Sequence, residues 1–192
     1  MSDTALQAVA AENAASESAP EPVVPALDPR RFRNALGHYA SGITIVTGHD
    51  GHEPIGFTCQ SFYSVSVDPP LVSFSVMKSS TTYPRIRETG RFAVNVLASD
   101  QISVSSQFAR KGTDKWAGVD WSPATSGDPV IAGVLLWIDT ELWAEYDAGD
   151  HWIVVGRVTE LGPEDGDAGA PLLFYKGEYR HLHETDESSF TI

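Results

Sequence analysis

The chain has 192 residues, one cysteine and a formal net charge of −13 at pH 7. A domain of this length buries roughly 70% of the surface that its unfolded chain exposes, so it folds without disulfides. The single Cys59 excludes an internal disulfide and a cysteine-based zinc site within one chain. An acidic chain is repelled by nucleic-acid phosphates and by anionic membranes, so neither is an expected partner. With no bilayer-spanning apolar run and no signal-peptide pattern, the protein is predicted to be cytoplasmic.

The N-terminal segment of the chain is predicted to be a disordered tail. Residues 1–27 are rich in Ala, Glu, Ser and Pro and contain no aromatic residue. Such a composition buries too little apolar surface to offset the entropy lost on ordering. One ordered domain is therefore expected over residues 28–183, followed by a polar tail over 184–192.

The ordered part begins with a helix and then changes to strands. Asp28 is a good N-cap and Pro29 suits the first helical position, which predicts a helix that ends near Ser41 and Gly42. Two strands follow, over 42–48 and 55–62, on either side of an Asp-Gly pair that indicates a hairpin.

Most of the remaining sequence also has strand character. Two short helices interrupt it: one contains Ile86 and ends at Gly90, and one is capped by Ser99 or Asp100 and runs to about Arg110. The further strands are predicted over 64–67, 71–77, 91–97, 130–146, 151–161 and 171–179. In 71–77, valine and phenylalanine alternate with serine, which predicts a half-buried strand.

These elements define the fold class as mainly β with a few short helices. A doubly wound parallel sheet is not expected, because strands and helices do not alternate regularly. No GxGxxG motif follows a strand, which argues against a Rossmann cofactor site. A closed or partly closed Greek-key barrel protects the strand edges best.

Seven short motifs then occur in a recognisable order. They are SGITIVT at 41–47, GFTCQSF at 56–62, DPPL at 68–71, KSSTT at 78–82, GRFAVNVL at 90–97, GDH at 149–151 and PLLFYKG at 171–177. Together they resemble the short-chain flavin reductases of two-component flavin-dependent monooxygenases, most closely the reductase partners of aromatic-ring and steroid-ring hydroxylases. The resemblance covers about residues 28–182. It implies a split β-barrel homodimer that reduces FMN or FAD with NADH, or with NADPH, and supplies reduced flavin to a partner monooxygenase.

The 78–82 loop is the candidate phosphate site. Its hydroxyls and Lys78 suit an anionic phosphate, whereas Ser80 or Thr81 also suits a plain helix N-cap, and one loop can serve both roles. Gly56 would let a ring approach the backbone closely. The resemblance places flavin contacts at Pro54, Ile55, Gly56, Phe57, Thr58, Gln60, Ser61, Ser75, Val76, Met77, Lys78, Ser80, Thr81, Thr82, Gln107 and Phe108.

His151 is the candidate catalytic residue. A histidine beside a hairpin turn is commonly a plain surface residue, but the resemblance places it at the mouth of the flavin pocket, near the nicotinamide. The implied NAD(P)H-binding residues are Cys59, His151, Phe174, Tyr175, Lys176 and Gly177. Without a second thiol, Cys59 is interpreted as pocket wall, and the spacing of the histidines predicts no metal site. The tryptophans are assigned to the core or to a dimer contact.

Two other functions stay open at this point. A protein of the same barrel class, like the pyridoxamine-phosphate oxidases, would keep its flavin and oxidise a small molecule directly. A non-enzymatic module would bind flavin or haem without turnover. The GDH and FYKG motifs favour a reductase, because a pure binder needs no nicotinamide site.

Overall fold

The computed structural model describes residues 27–162 and 169–182, so the predicted tails lie almost entirely outside the described residues. Three helices are described: α1 (Pro29–Leu36), α2 (Tyr83–Thr89) and α3 (Ile102–Ala109). The described strands are β1 (Ser41–Gly42), β2 (Thr44–His49), β3 (Pro54–Cys59), β4 (Tyr63–Val67), β5 (Pro70–Met77), β6 (Arg91–Val96), β7 (Trp121–Pro123), β8 (Pro129–Ile131), β9 (Leu136–Ala148), β10 (His151–Gly162), β11 (Leu173–Tyr175) and β12 (Glu178–Arg180). The prediction of a mainly β fold with short helices is confirmed.

Helix α1 begins where the sequence predicted. Asp28 Oδ1 accepts hydrogen bonds from the backbone N–H groups of Arg30, at 2.7 Å, and Arg31, at 2.8 Å, as an N-cap should. The helix ends at Leu36, earlier than expected, because Gly37 follows and the chain then turns with Tyr39 N–H donating to Leu36 O.

The main sheet has seven strands in the order β3-β2-β6-β9-β10-β5-β4, and all neighbours are antiparallel. A second sheet has the order β1-β11-β12, and β7 pairs with β8. The hairpin predicted at the Asp-Gly pair is confirmed as the β2–β3 connection. Within the described residues, no helix is both long and apolar enough to cross a membrane.

Strand β2 is buried on both faces, and its alternate residues reach two separate core clusters. Val46 packs in a cluster around Phe74, whose ring meets Phe92 edge-on at 5.1 Å. Ile45 packs in a second cluster that includes Phe108. Burial on both faces explains why β2 reads as a run of β-branched residues without polar alternation.

Several predicted elements differ from the structure. The 130–146 strand is divided into β8 and β9 around Gly133, whose φ of +76° interrupts the extended backbone. The 171–179 strand is a hairpin, because Lys176 and Gly177 both have positive φ, which suits a two-residue turn between antiparallel strands. Ser73 is buried, so β5 is covered on both faces rather than half-buried.

The predicted cap of α3 was also wrong. Gln101 stands at the N-cap, while Ser99 lies in the turn before the helix and its N–H donates to Ala170 O. The side chain of Gln101 accepts a hydrogen bond from Ala98 N–H and donates one to Ala132 O. The start of α3 is therefore fixed by tertiary contacts that the local sequence does not reveal.

A pair of serines joins the two flanks of the main sheet. Ser61, just beyond β3, donates through Oγ to Ser75 O in β5 at 3.0 Å and accepts from Ser75 N–H at 2.8 Å. The rings of Phe57 and Phe74 meet nearby, with centroids 5.9 Å apart. In the strand order, β3 is at one edge of the sheet and β5 is next to the other edge strand, β4. The contacts between β3 and β5 therefore show that the sheet curls strongly.

Candidate active site

The curled sheet leaves a cavity of about 430 Å³ between β3, β5 and the end of α3, here called the main cavity. Its volume falls within the roughly 300–1,000 Å³ that small-molecule sites commonly have. It is lined by Phe57, Thr58, Cys59, Gln60, Ser61, Ser75, Val76, Met77, Ser79, Ser80, Thr81, Thr82, Phe108, Ala109, Lys111, Lys115 and His151. Most of these are predicted flavin or nicotinamide contacts, and the structure brings them to one place.

A smaller space of about 240 Å³, the side cavity, adjoins it and contains the other predicted residues of β3. Pro54, Ile55 and Gly56 line the side cavity, and Thr81, Thr82 and Lys115 line both spaces.

Arg85 also lines the side cavity, but carboxylates already occupy its guanidinium. Its Nε donates to Asp50 Oδ2 at 3.0 Å, and Nη2 contacts the same oxygen and Glu53 Oε1. Hydrogen bonds from the Glu53 N–H and from Arg85 in turn hold the pKa of Asp50 far below its usual range.

The main-cavity wall on β3 is fixed by hydrogen bonds within the protein. Thr58 Oγ1 donates to Ser105 O at 2.6 Å, and Ser61 bridges to Ser75 as described above. Cys59 is buried, with Sγ 3.3 Å from Ser61 Oγ, and burial raises the pKa of its thiol. A buried neutral thiol suits the predicted role of pocket wall.

Gly56 admits an aromatic ring, but that ring belongs to the protein. A Cβ at this position would lie 2.8 Å from Phe108 Cε1 and 3.1 Å from Val46 O. Phe108 is fully buried and packs edge-on against Trp116 at 4.9 Å. The missing side chain therefore lets α3 approach β3 and places Phe108 in the cavity wall.

The 78–82 loop combines a helix cap with a hydroxyl-rich wall. Ser80 Oγ accepts the N–H of Tyr83 at 3.1 Å and so satisfies the first N–H group of the helix from outside it, while the N-cap position itself is Thr82 rather than Ser80 or Thr81. Thr81 and Thr82 line both cavities, and Thr82 makes no side-chain cap. Lys78 lines neither cavity: its Nζ lies 2.7 Å from Asp147 Oδ2 and 5.0 Å from the centroid of Trp152.

The cations that do line the main cavity come from a segment that the sequence analysis missed. Lys111 and Lys115 lie in the loop of residues 110–116, here called the lysine loop, directly after α3. Gln107 lines neither cavity, and its Nε2 holds this loop by donating to Lys115 O at 3.0 Å and to Ala117 O at 2.9 Å. The available signal was a pair of lysines four residues apart in so acidic a chain.

The main-cavity wall contains two lysines and, among the described residues, no aspartate or glutamate. The chain as a whole carries a net charge of −13, so this wall departs sharply from the average. The wall suits an anionic ligand, because fixed cations in a concave site attract negative charge against the field of the whole protein.

His151 lies at the rim, at the start of β10 and opposite Met77 of β5 in the strand register. Its Nδ1 is 2.7 Å from Asp150 Oδ1, and this hydrogen bond lowers the pKa of Asp150. The turn is held in addition by the N–H of Lys78, which donates to Asp150 O at 2.9 Å. With Nδ1 engaged, Nε2 is the nitrogen left for a ligand.

The remaining predicted nicotinamide residues lie on the β11–β12 hairpin and line neither cavity. Phe174 packs against Tyr179 at 5.5 Å, and Lys176 Nζ lies 5.4 Å from the centroid of Tyr175. Tyr179 Oη also contacts Ser105 Oγ of α3 at 2.9 Å. Contact of Phe174, Tyr175, Lys176 and Gly177 with a nicotinamide stays a prediction.

The fold and the site define a small, mainly β oxidoreductase of the flavin reductase type. Residues 36–183 match the flavin reductase like domain, and the chain belongs to this family. It is 45% identical over 154 residues to the reductase subunit HsaB of a flavin-dependent monooxygenase from Rhodococcus jostii (strain RHA1), covering 80% of this chain and 78% of that one. It is 44% identical over 150 residues to the FMN reductase (NADH) SmoA of Agrobacterium fabrum, covering 78% and 84%.

A solved structure supports the same assignment. The Streptomyces globisporus C-1027 NADH:FAD oxidoreductase SgcE6, in complex with NAD and FAD fragments, matches with a TM-score of 0.78 and 33% identity, over 85% of this chain and all of that one. The predicted activity, a flavin reductase, is confirmed, which favours it over the oxidase and the non-enzymatic binder.

Proposed function

We propose that this flavin reductase holds FMN or FAD in the main cavity, reduces it with NADH, and passes the reduced flavin to a partner monooxygenase. The observation that carries the proposal is the main-cavity wall, which has hydroxyls, aromatic rings, two lysines and, among the residues that the structure describes, no carboxylate. HsaB, SmoA and SgcE6 support it by their names, which include a monooxygenase reductase subunit, an NADH-dependent FMN reductase and an NADH:FAD oxidoreductase.

The chemistry resides in the two nucleotides, and the protein supplies binding and alignment. When both are bound, the nicotinamide supplies a hydride that the flavin accepts at N5. Phe57 and Phe108 give the cavity apolar walls, and the Ser61–Ser75 bridge keeps the two sides of the cavity at a fixed spacing. Fixed walls matter because the rate depends on the alignment of the two reacting rings.

His151 is proposed to orient the nicotinamide rather than to transfer a proton. Its bond to Asp150 fixes the imidazole, and Nε2 then meets a ligand that enters past the rim. Hydride transfer requires no strong base, so one positioned hydrogen bond is sufficient at this place.

A homodimer and a cytoplasmic location complete the proposal. Large apolar side chains are exposed on the main sheet, among them Val67 at 90%, Tyr146 at 58% and Trp143 at 52%, and apolar surface of this kind is commonly covered in an assembly. A cytoplasmic enzyme has direct access to NADH. We also propose that the functional domain spans residues 28–183, in agreement with the end of the family match at residue 183.

The direct test is a steady-state assay of NADH and NADPH oxidation with FMN, FAD or riboflavin as acceptor. We expect NADH oxidation that depends on added flavin, and release of the reduced product, shown by turnovers well in excess of the enzyme concentration. A flavin that survives gel filtration, without turnover of added flavin, would contradict release and favour a flavin-retaining oxidase.

A further inference from the structure

We infer that Lys115 is the residue that makes this enzyme select phosphorylated flavins over riboflavin, with the flavin phosphate lying where the main and side cavities meet. The inference rests on the proposed function and assigns the phosphate end of the flavin within the same site. It also replaces Lys78, which the sequence pattern favours, as the cation for that phosphate.

The first argument is position. Lys115 and the hydroxyl-bearing Thr81 and Thr82 are the polar side chains shared by the walls of both cavities. A phosphate at this junction would meet two hydroxyl donors and one ammonium group. Charge-assisted hydrogen bonds of this kind are roughly twice as strong as neutral ones.

The second argument is that the ammonium group of Lys115 forms no ion pair in the part of the chain that the structure describes. Its Nζ donates to Gly56 O at 3.1 Å, and within the described residues no carboxylate lies within ion-pair distance of it. The side chain is half-buried, and burial lowers the pKa of its ammonium group. An anion at the junction would offset this cost of desolvation. A phosphorylated flavin would therefore gain binding free energy from Lys115 that riboflavin, which has no phosphate, would not gain.

The third argument is that the competing cations are already paired. Lys78 binds Asp147, and Arg85 binds Asp50 and Glu53. Lys111 shares the main cavity but not the junction. The backbone of Lys115 is also held in place, because Gln107 Nε2 donates to its carbonyl oxygen.

The test is a binding titration without NADH, in which quenching of flavin fluorescence gives the dissociation constants of FMN and riboflavin. For Lys115→Met, which keeps most of the apolar stem, we expect FMN binding to weaken about tenfold, as for the loss of one hydrogen bond between charged groups. Riboflavin binding should change less than about twofold. Lys115→Arg should recover most of the FMN affinity.

Two further variants make the outcome decisive. Arg110→Ala removes one positive charge from the same loop at an exposed position outside both cavities, and should leave the ratio of the two constants unchanged. Equal weakening of FMN and riboflavin in Lys115→Met would overturn the inference, because it would reveal a structural role. So would loss of FMN selectivity in Lys78→Ala but not in Lys115→Met. The titration needs no turnover, so its result does not depend on whether the proposed hydride transfer takes place.

Discussion

Replacing Gly56 by alanine separates a packing role from a flavin contact. The added Cβ would lie 2.8 Å from Phe108 Cε1 and 3.1 Å from the carbonyl oxygen of Val46. The carbonyl belongs to the paired strand β2 and cannot move freely, so Phe108 has to shift within a fully packed cluster. Overpacking of this kind costs roughly 1–3 kcal/mol. In a chain of this length, each 1 kcal/mol lowers the melting temperature by roughly 2–4 °C.

Calorimetry of Gly56→Ala should therefore show a lower melting temperature with or without flavin. Gly42→Ala is the matched control, since a Cβ there meets no atom within 4 Å. Adding Phe108→Leu to Gly56→Ala should cost less than the sum of the two single changes, because both act on one contact. An unchanged melting temperature together with lost flavin binding would refute this reasoning and show that the glycine faces the flavin directly.

Three further predictions follow from single side chains. His151→Ala should lower kcat/KM for NADH about tenfold, because one hydrogen bond to the nicotinamide is lost. The melting temperature and the affinity for FMN should not change. Weaker FMN binding with an unchanged kcat/KM would contradict the proposed role. Cys59 should react with iodoacetamide at least about tenfold more slowly in the folded protein than in urea, because burial raises the pKa of its thiol and restricts access, and equal rates would disprove this. Burial raises the pKa of Asp128 from 3.8 to about 6, so the folded state holds that proton more tightly: its contribution to stability is present below pH 3.8 and is lost as the pH rises through 6. Between about pH 4 and about pH 7 the wild type should lose about 2 kcal/mol of unfolding free energy relative to Asp128→Asn, measured by urea denaturation, and parallel curves would exclude this.

Many residues that the family resemblance assigned to flavin contacts line the main cavity, and they come in continuous stretches of chain. The residues 57–61 and 75–77 come from two strands whose ends carry polar groups, and the 80–82 hydroxyls follow directly on β5. Each stretch is continuous, so identifying one of its residues identifies its neighbours. Lys111 and Lys115 belong to no such stretch, and only the folding of the lysine loop back towards β3 brings them into the wall.

Lys78 shows how a residue within a motif can lie outside the cavity wall that its neighbours form. The loop runs past the cavity, and a lysine stem is long enough to reach either side of the strand. Asp147 and the face of Trp152, both on the β9–β10 hairpin, attract its ammonium group away. The partner is distant in the chain, so the local pattern does not reveal the choice.

Composition, β-branched runs and turn signals were sufficient for the fold class, for the hairpin at the Asp-Gly pair and for the start of α1, because these depend on backbone preferences within a few residues. The tertiary structure alone decided which two lysines line the main cavity, which ring fills the space above Gly56, and that Ser61 joins β3 to β5. Each of these pairs residues far apart in sequence, and their contact depends on how far the whole sheet curls, which no local segment determines.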